Sequence, residues 1–366
     1  MKTEDSVIYL VSCVVKQKIP DKALISEMDL AAVHDFASRH MLNAAVSMAL
    51  ESAGYEDAQT RQSIGIALRK VLTLEAEKNL LFQKLEEAGI WHMPLKGAVL
   101  KDYYPKLGMR EMSDYDILFD ASRAKDVRKI MESAGFSTTE FGIQNEDVYR
   151  KAPVTLFEMH RTLFGTRHGK IICEYYVNVK ERLLKDDGKN YAYHFRAEDF
   201  YIYIITHEYI HYSTSGTGLR SILDTYVFLR EQELDWSYIE AEISKLGITD
   251  FERNNRSLAL HVFNGEELSD EEGLMLDYII SSGTYGTIQN AVENKISERG
   301  RLAYFLSRLT LPYPQMLDEY PVLRKMPVLY PFCWLYRLLV RGLFSRRRKL
   351  ICQLKNLLSW NKEHVN

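Results

Sequence analysis

The sequence predicts an α+β fold, with a small α/β core set between an N-terminal helical region and a larger helical C-terminal domain. Three observations carry that reading. Up to about residue 90, apolar residues recur at helical spacing. Between about 90 and 180 the texture changes to short β-branched and aromatic runs broken by glycine. From Asp199 the helical texture returns and holds nearly to the end. The predicted divisions are 1–90, 91–198 and 199–366.

Each element follows from its own residues. Val7, Leu10, Val11, Val14 and Val15 form one stripe of a first helix, which Pro20 is expected to end. Asp29 is a natural N-cap for a helix through Leu30–His34. A long helix runs from about Thr60 to Ala88 and stops at Gly89. His92-Met93-Pro94-Leu95 reads as a short strand and Asp114 to Phe119 as a second. Ser122 is the expected cap of a helix reaching Ala134, with Gly135 as its stop. Residues 136–180 read as further strands.

Composition narrows the class. With 366 residues the chain is long enough for a large core and two domains. A net charge of −3 excludes a general polyanion binder, although the stretch from Arg324 onward holds ten Lys/Arg against the single acid Glu363. Cys13, Cys173, Cys333 and Cys352 form no Cys-x-x-Cys pair, which excludes a zinc knuckle or a disulfide framework and suits a reducing cytoplasm. The acidic N-terminus is no secretory signal. Met326 to Phe344, interrupted by Pro327, Pro331, Arg337 and Arg341, is a poor membrane span. The basic run Arg341 to Lys349 reads as a solvated face that could also touch an anionic surface.

The chemistry concentrates in Leu95-Lys96-Gly97, Arg110 and Ser113-Asp114-Tyr115-Asp116. Residues two apart on a strand share a face, so Asp114 and Asp116 project together while Tyr115 and Ile117 pack. Paired carboxylates call for a positive charge between them, and hard oxygen ligands suit Mg²⁺, with Mn²⁺ as a substitute. A strand-borne Asp-x-Asp after a glycine turn is the metal clamp of a nucleotidyl-transfer site. Lys96, Gly97, Arg110 and Ser113 lie where phosphate would be met. Glu158, in the apolar strand Val154 to Met159, is the third acid, for a lone buried carboxylate needs a cation or a reacting proton. The plain alternative is an ion pair with Arg161.

The segment Leu95-Lys96-Gly97, Leu100, Tyr104-Pro105, Arg110 and Ser113 to Leu118 resembles the uncharacterised nucleotidyltransferase family of the DNA-polymerase-β-like superfamily. Glu158-x-His160 is similar to that family's third-carboxylate strand. The resemblance implies a small mixed β-sheet nucleotidyltransferase core. It also implies two Mg²⁺ ions held by Asp114, Asp116 and Glu158, with an NTP such as ATP as substrate. The superfamily's usual Gly-Ser pair is here Lys96-Gly97. His160, His207, His211, Arg220 and Asp224 fit the family's outline and are expected on the acceptor side.

His207-Glu208-Tyr209-Ile210-His211 also matches the zinc-peptidase helix, with Glu231 at a spacing that suits a third ligand. The expected activity is transfer of an NMP from an NTP to an acceptor such as a small molecule, peptide or glycan precursor, with pyrophosphate released. The modest charge disfavours a long RNA, so a nucleic-acid acceptor stays open but is not the favoured one. The alternatives are a catalytically silent nucleotide-binding module and a zinc peptidase.

Overall fold

The computed structural model describes residues 1–284, 286, 313, 316–317 and 320–336. Its order begins with five helices, α1 (Thr3–Val15), α2 (Lys22–Ser26), α3 (Leu30–Arg39), α4 (Asn43–Ser52) and α5 (Ala58–Glu87). Next come β1 (His92–Pro94), the short α6 (Gly97–Leu100), β2 (Tyr115–Phe119), α7 (Ala124–Ser133), β3 (Ser137–Glu140), β4 (Glu146–Lys151) and β5 (Thr155–His160). After α8 (Lys170–Tyr176) and the two-residue strands β6 (Leu184–Lys185) and β7 (Tyr193–His194), the chain turns helical. The helices that follow are α9 (Ala197–Thr214), α10 (Leu219–Glu231), α11 (Trp236–Leu246), α12 (Thr249–Asn264) and α13 (Asp270–Ser282). The fold is therefore α+β, a small mixed sheet among many helices. Among the described residues no helix is long and apolar enough to cross a membrane. The basic run from Arg341 lies outside them.

The caps follow local chemistry. Asp29 accepts from the Ala32 amide, and Asp57 accepts from Thr60 to open α5. Three sequence expectations are corrected. The first helix ends at Val15, with Gln17 at φ 57°, well before Pro20. Asp120, not Ser122, makes the cap: it accepts from the Ser122 amide and opens a 3₁₀ turn ahead of α7. The stretch 136–180 is likewise only partly strand. Its aromatic and β-branched residues continue into α8, where Ile172 and Tyr176 are buried four residues apart, a helical interval.

The five-stranded sheet has the order β1-β2-β5-β4-β3. β2 and β5 run parallel at its centre, and the other pairs are antiparallel. One face of the sheet is apolar: Tyr115, Ile117, Phe157 and Met159 pack with Val71, Leu74 and Leu81 of α5 and with Val127 and Met131 of α7. This layer holds the sheet's other face toward α9. A second cluster joins Leu95 and Leu118 to Tyr201, Ile202 and Ile205 of α9. The N-terminal helices are not set apart. Val7, Leu10 and Val11 of α1 share one core with Leu223 and Val227 of α10 and Leu258 and Val262 of α12.

α13 locks this helical wall through a reciprocal cap. The Glu272 carboxylate accepts from the Ser269 amide at 2.8 Å, while the Ser269 hydroxyl accepts from the Glu272 amide. Ser257 of α12 also donates to Glu272, at 2.5 Å. Burial alone would raise this carboxyl, but these bonds outweigh it and lower it to about 2. The stabilisation is therefore complete above its ordinary value of 4.5 and is lost as pH falls toward about 2. Glu272→Ala should lower stability by about 1–2 kcal/mol at pH 7. In urea titrations the gap to wild type should narrow progressively below pH 4.5.

Candidate active site

Sheet register builds the site. Asp116 on β2 lies directly opposite Glu158 on the parallel β5, and Leu118 opposite His160. Side chains two apart on one strand share a face, so Glu158 and His160 point the same way as Asp116. One ligand atom from each of Asp116, Glu158 and His160 lies within 4.8 Å of the other two. Asp114, the residue before the strand, lines the same cleft of about 580 Å³ but falls outside that cluster. Its carboxyl hydrogen-bonds the Ser113 hydroxyl, another cleft residue. The acids thus open into one hollow, while the tight trio has a histidine where the sequence reading placed Asp114.

The electrostatics are uneven. Asp116 Oδ1 accepts from Lys96 Nζ at 2.9 Å and pairs with His160 Nε2 at 2.8 Å. Burial would raise Asp116, but the Lys96 ammonium and the His160 hydrogen bond hold it well below the usual carboxylate range. Glu158 lacks such support. Burial first, then the charges of Asp116 and Asp114, push it up to about 8. Asp114 is raised by burial and by Asp116. The pairing of Glu158 with Arg161 does not form, because Arg161 makes a two-pronged bond to Asp147 at 2.9 Å on each prong.

Lys96 sits at φ 45° and ψ −122°. This is a turn conformation natural to glycine, costing another residue about 1–3 kcal/mol. The following Gly97 also has a steric reason. A Cβ there would lie 2.3 Å from Arg110 Nη1, so glycine makes room for a guanidinium. Arg110 in turn is engaged. Its Nε and Nη2 donate to the two oxygens of Asp224 on α10 at 2.7 and 2.8 Å, and Tyr104 donates to the same carboxylate at 2.7 Å. All three residues are buried. Arg110 and Asp224 therefore tie the sheet region to the helical wall, where phosphate contact and acceptor contact had been expected. Arg220, also at the cleft, donates to the Glu111 carbonyl at 3.0 Å.

α9 supplies the opposite wall. His207 and His211 face the cleft with their Nε2 atoms 3.1 Å apart. Burial first, then the Lys96 charge, lowers both from their ordinary value, so both imidazoles are neutral at pH 7. Glu208 does not join them as a zinc peptidase requires. Its buried carboxyl accepts from Asn255 of α12 at 2.8 Å and from Thr225 of α10. Glu231 is exposed at the end of α10. Among the described residues the one cluster of three potential metal ligands is Asp116, Glu158 and His160. The zinc arrangement is not formed. Sequence reasoning missed Asn145, Arg167 and His168, which also line the cleft. The turn at Thr166–His168 is bracketed by Gly165 and Gly169 directly after the third-acid strand, and that bracket was the available signal.

Acids paired across two parallel strands thus face a cleft that residues of α9 and α10 also line. The chain belongs to a family of uncharacterised nucleotidyltransferases, whose model matches residues 26–264. That match runs from the N-terminal helices through α12 and so includes both walls of the cleft. No curated protein and no solved structure matches the chain.

The buried pair can be tested directly. Arg110→Met leaves the Asp224 carboxylate buried without its guanidinium and should cost about 3–5 kcal/mol in urea denaturation. Arg110→Met combined with Asp224→Leu should recover most of that loss, because no unpaired charge remains.

Proposed function

We propose that the protein transfers a nucleoside monophosphate from an NTP to an acceptor nucleophile and releases pyrophosphate. The observation that carries this reading is the register of β2 and β5, which brings Asp116 and Glu158 together beneath the cleft. The two carboxylates, gathered within 4.8 Å with His160 beside them, fit a divalent cation, while His160 Nε2 is turned to Asp116. Asp116 and Glu158 would hold Mg²⁺, with Asp114 at its edge. Bound there, the ion would neutralise phosphate charge and polarise the α-phosphate.

The chain's own residues supply the rest. Lys96 and Arg220 make the floor cationic where negative charge builds up in transfer. His207 and His211 offer neutral hydrogen-bonding edges, set beside Leu163, Phe164, Ile204 and Ile210. A half-apolar, uncharged wall favours a hydroxyl- or amide-bearing acceptor, such as a small molecule, a peptide or a glycan precursor. It gives a polyanionic nucleic acid little purchase. A silent nucleotide-binding module is the second reading, favoured because Asp116 Oδ1 is already engaged by Lys96 and His160.

Pyrophosphate release from each NTP, measured with Mg²⁺ over a panel of acceptors, tests the proposal. Asp116→Asn should reduce turnover by about 10²–10³-fold, an effect on the scale of losing one electrostatic stabiliser of the transition state. Nucleotide binding by calorimetry without any pyrophosphate would favour the silent module. Equal turnover by wild type and Asp116→Asn would sink the catalytic assignment.

A further inference from the structure

We propose that the Lys96 ammonium takes the place of one of the two expected divalent cations, so that the site operates with a single metal ion beside a built-in positive charge. The inference rests on the nucleotidyl-transfer reading above and concerns how that site is charged.

Four observations support it. Lys96 Nζ lies 2.9 Å from Asp116 Oδ1, the oxygen that His160 Nε2 also approaches at 2.8 Å. That oxygen is saturated by protein donors, which leaves the other Asp116 oxygen for a cation. Second, among the described residues Asp116, Glu158 and His160 form one close group, and Asp114 lies outside it. With His160 Nε2 turned to Asp116, that group offers its free carboxylate oxygens to one ion. Third, before nucleotide binds, one ion closes the charge of the sheet-side group: Asp114, Asp116 and Glu158, when ionised, carry three negative charges, which the Lys96 ammonium and one divalent cation balance.

The fourth observation is the backbone. Lys96 occupies φ 45° and ψ −122°, a conformation that glycine adopts freely and lysine does not. A turn needing only shape would be better served by glycine. The side chain must therefore repay the strained conformation, and its partner is the Asp116 carboxylate at the floor of the cleft. Lys96 is in this sense a positioning residue for charge.

The experiment counts bound Mn²⁺ by electron paramagnetic resonance, on the full chain with a non-hydrolysable α,β-methylene NTP analogue. Wild type should bind one Mn²⁺ in total, the ion carried by the triphosphate included, with the spectrum of an isolated ion. Lys96→Gly removes the ammonium and relieves the backbone but leaves Asp116 with His160 alone, so far-UV circular dichroism should first show that the variant is folded. This variant should bind two Mn²⁺ with the line broadening of a close pair. Lys96→Arg, which keeps a cation, should remain at one. Two ions in wild type, or one ion in folded Lys96→Gly, overturns the proposal. The wild-type count decides by itself should the variant fail to fold. A wild type that binds neither Mn²⁺ nor the analogue defeats the nucleotidyl-transfer reading and this inference with it. Two ions in wild type defeats this inference alone.

Discussion

The cleft exists because a buried guanidinium joins two parts of the chain that are 114 residues apart. Arg110 leaves the segment before β2 and meets both oxygens of Asp224 on α10, with Tyr104 completing the carboxylate's shell. A buried charge pair of this geometry tolerates little displacement, since either partner left alone would face a large desolvation cost. The helical wall is therefore held at a defined distance from the sheet. Gly97 has no side chain because the guanidinium occupies that space. The ion pair, the glycine and the width of the hollow form one constraint.

On the two sides of that hollow, burial acts in opposite ways. At the sheet, lysine and histidine keep Asp116 ionised, while Glu158 is driven toward its protonated form by burial and by its acidic neighbours. On α9, burial and the same lysine charge keep two histidines uncharged. α9 thus presents two neutral imidazoles to the charged sheet side, while Arg220 and Asp224 of the neighbouring α10 keep charge on the helical side as well.

Much of the sheet side was legible in the sequence because its signals are local. Asp114 and Asp116 are two residues apart, and period-two alternation already sets Tyr115 and Ile117 in the core. Glu158 stood out as an acid within an apolar strand, and the strand proved central. Arg110 and Asp224 resisted such reading, because an arginine before an acidic strand looks the same whether it meets phosphate or a distant carboxylate. His160 was expected on the acceptor side, yet its spacing from Glu158 puts it against Asp116. The aromatic residues of α8 imitate a strand until their burial at a four-residue interval is seen. Glu208 shows how a motif can match in spacing and fail in direction, since its carboxyl serves Asn255 and Thr225.

The shared core of α1 with α10 and α12 has a consequence for biogenesis. Lys16, just past α1, donates to the carbonyl of Phe263, and the Val15 carbonyl accepts from Arg230 at 2.8 Å. α1 thus finds some of its partners among the last of the matched region. Val33 and Phe36 of α3 and Val46 and Leu50 of α4 share its core and can cover part of the stripe early, but the cover is completed only when α10 and α12 have been made. A shortened version beginning at the sheet would strip α10 and α12 of part of their packing surface, so the sheet-bearing half is not expected to be separable as an autonomous unit.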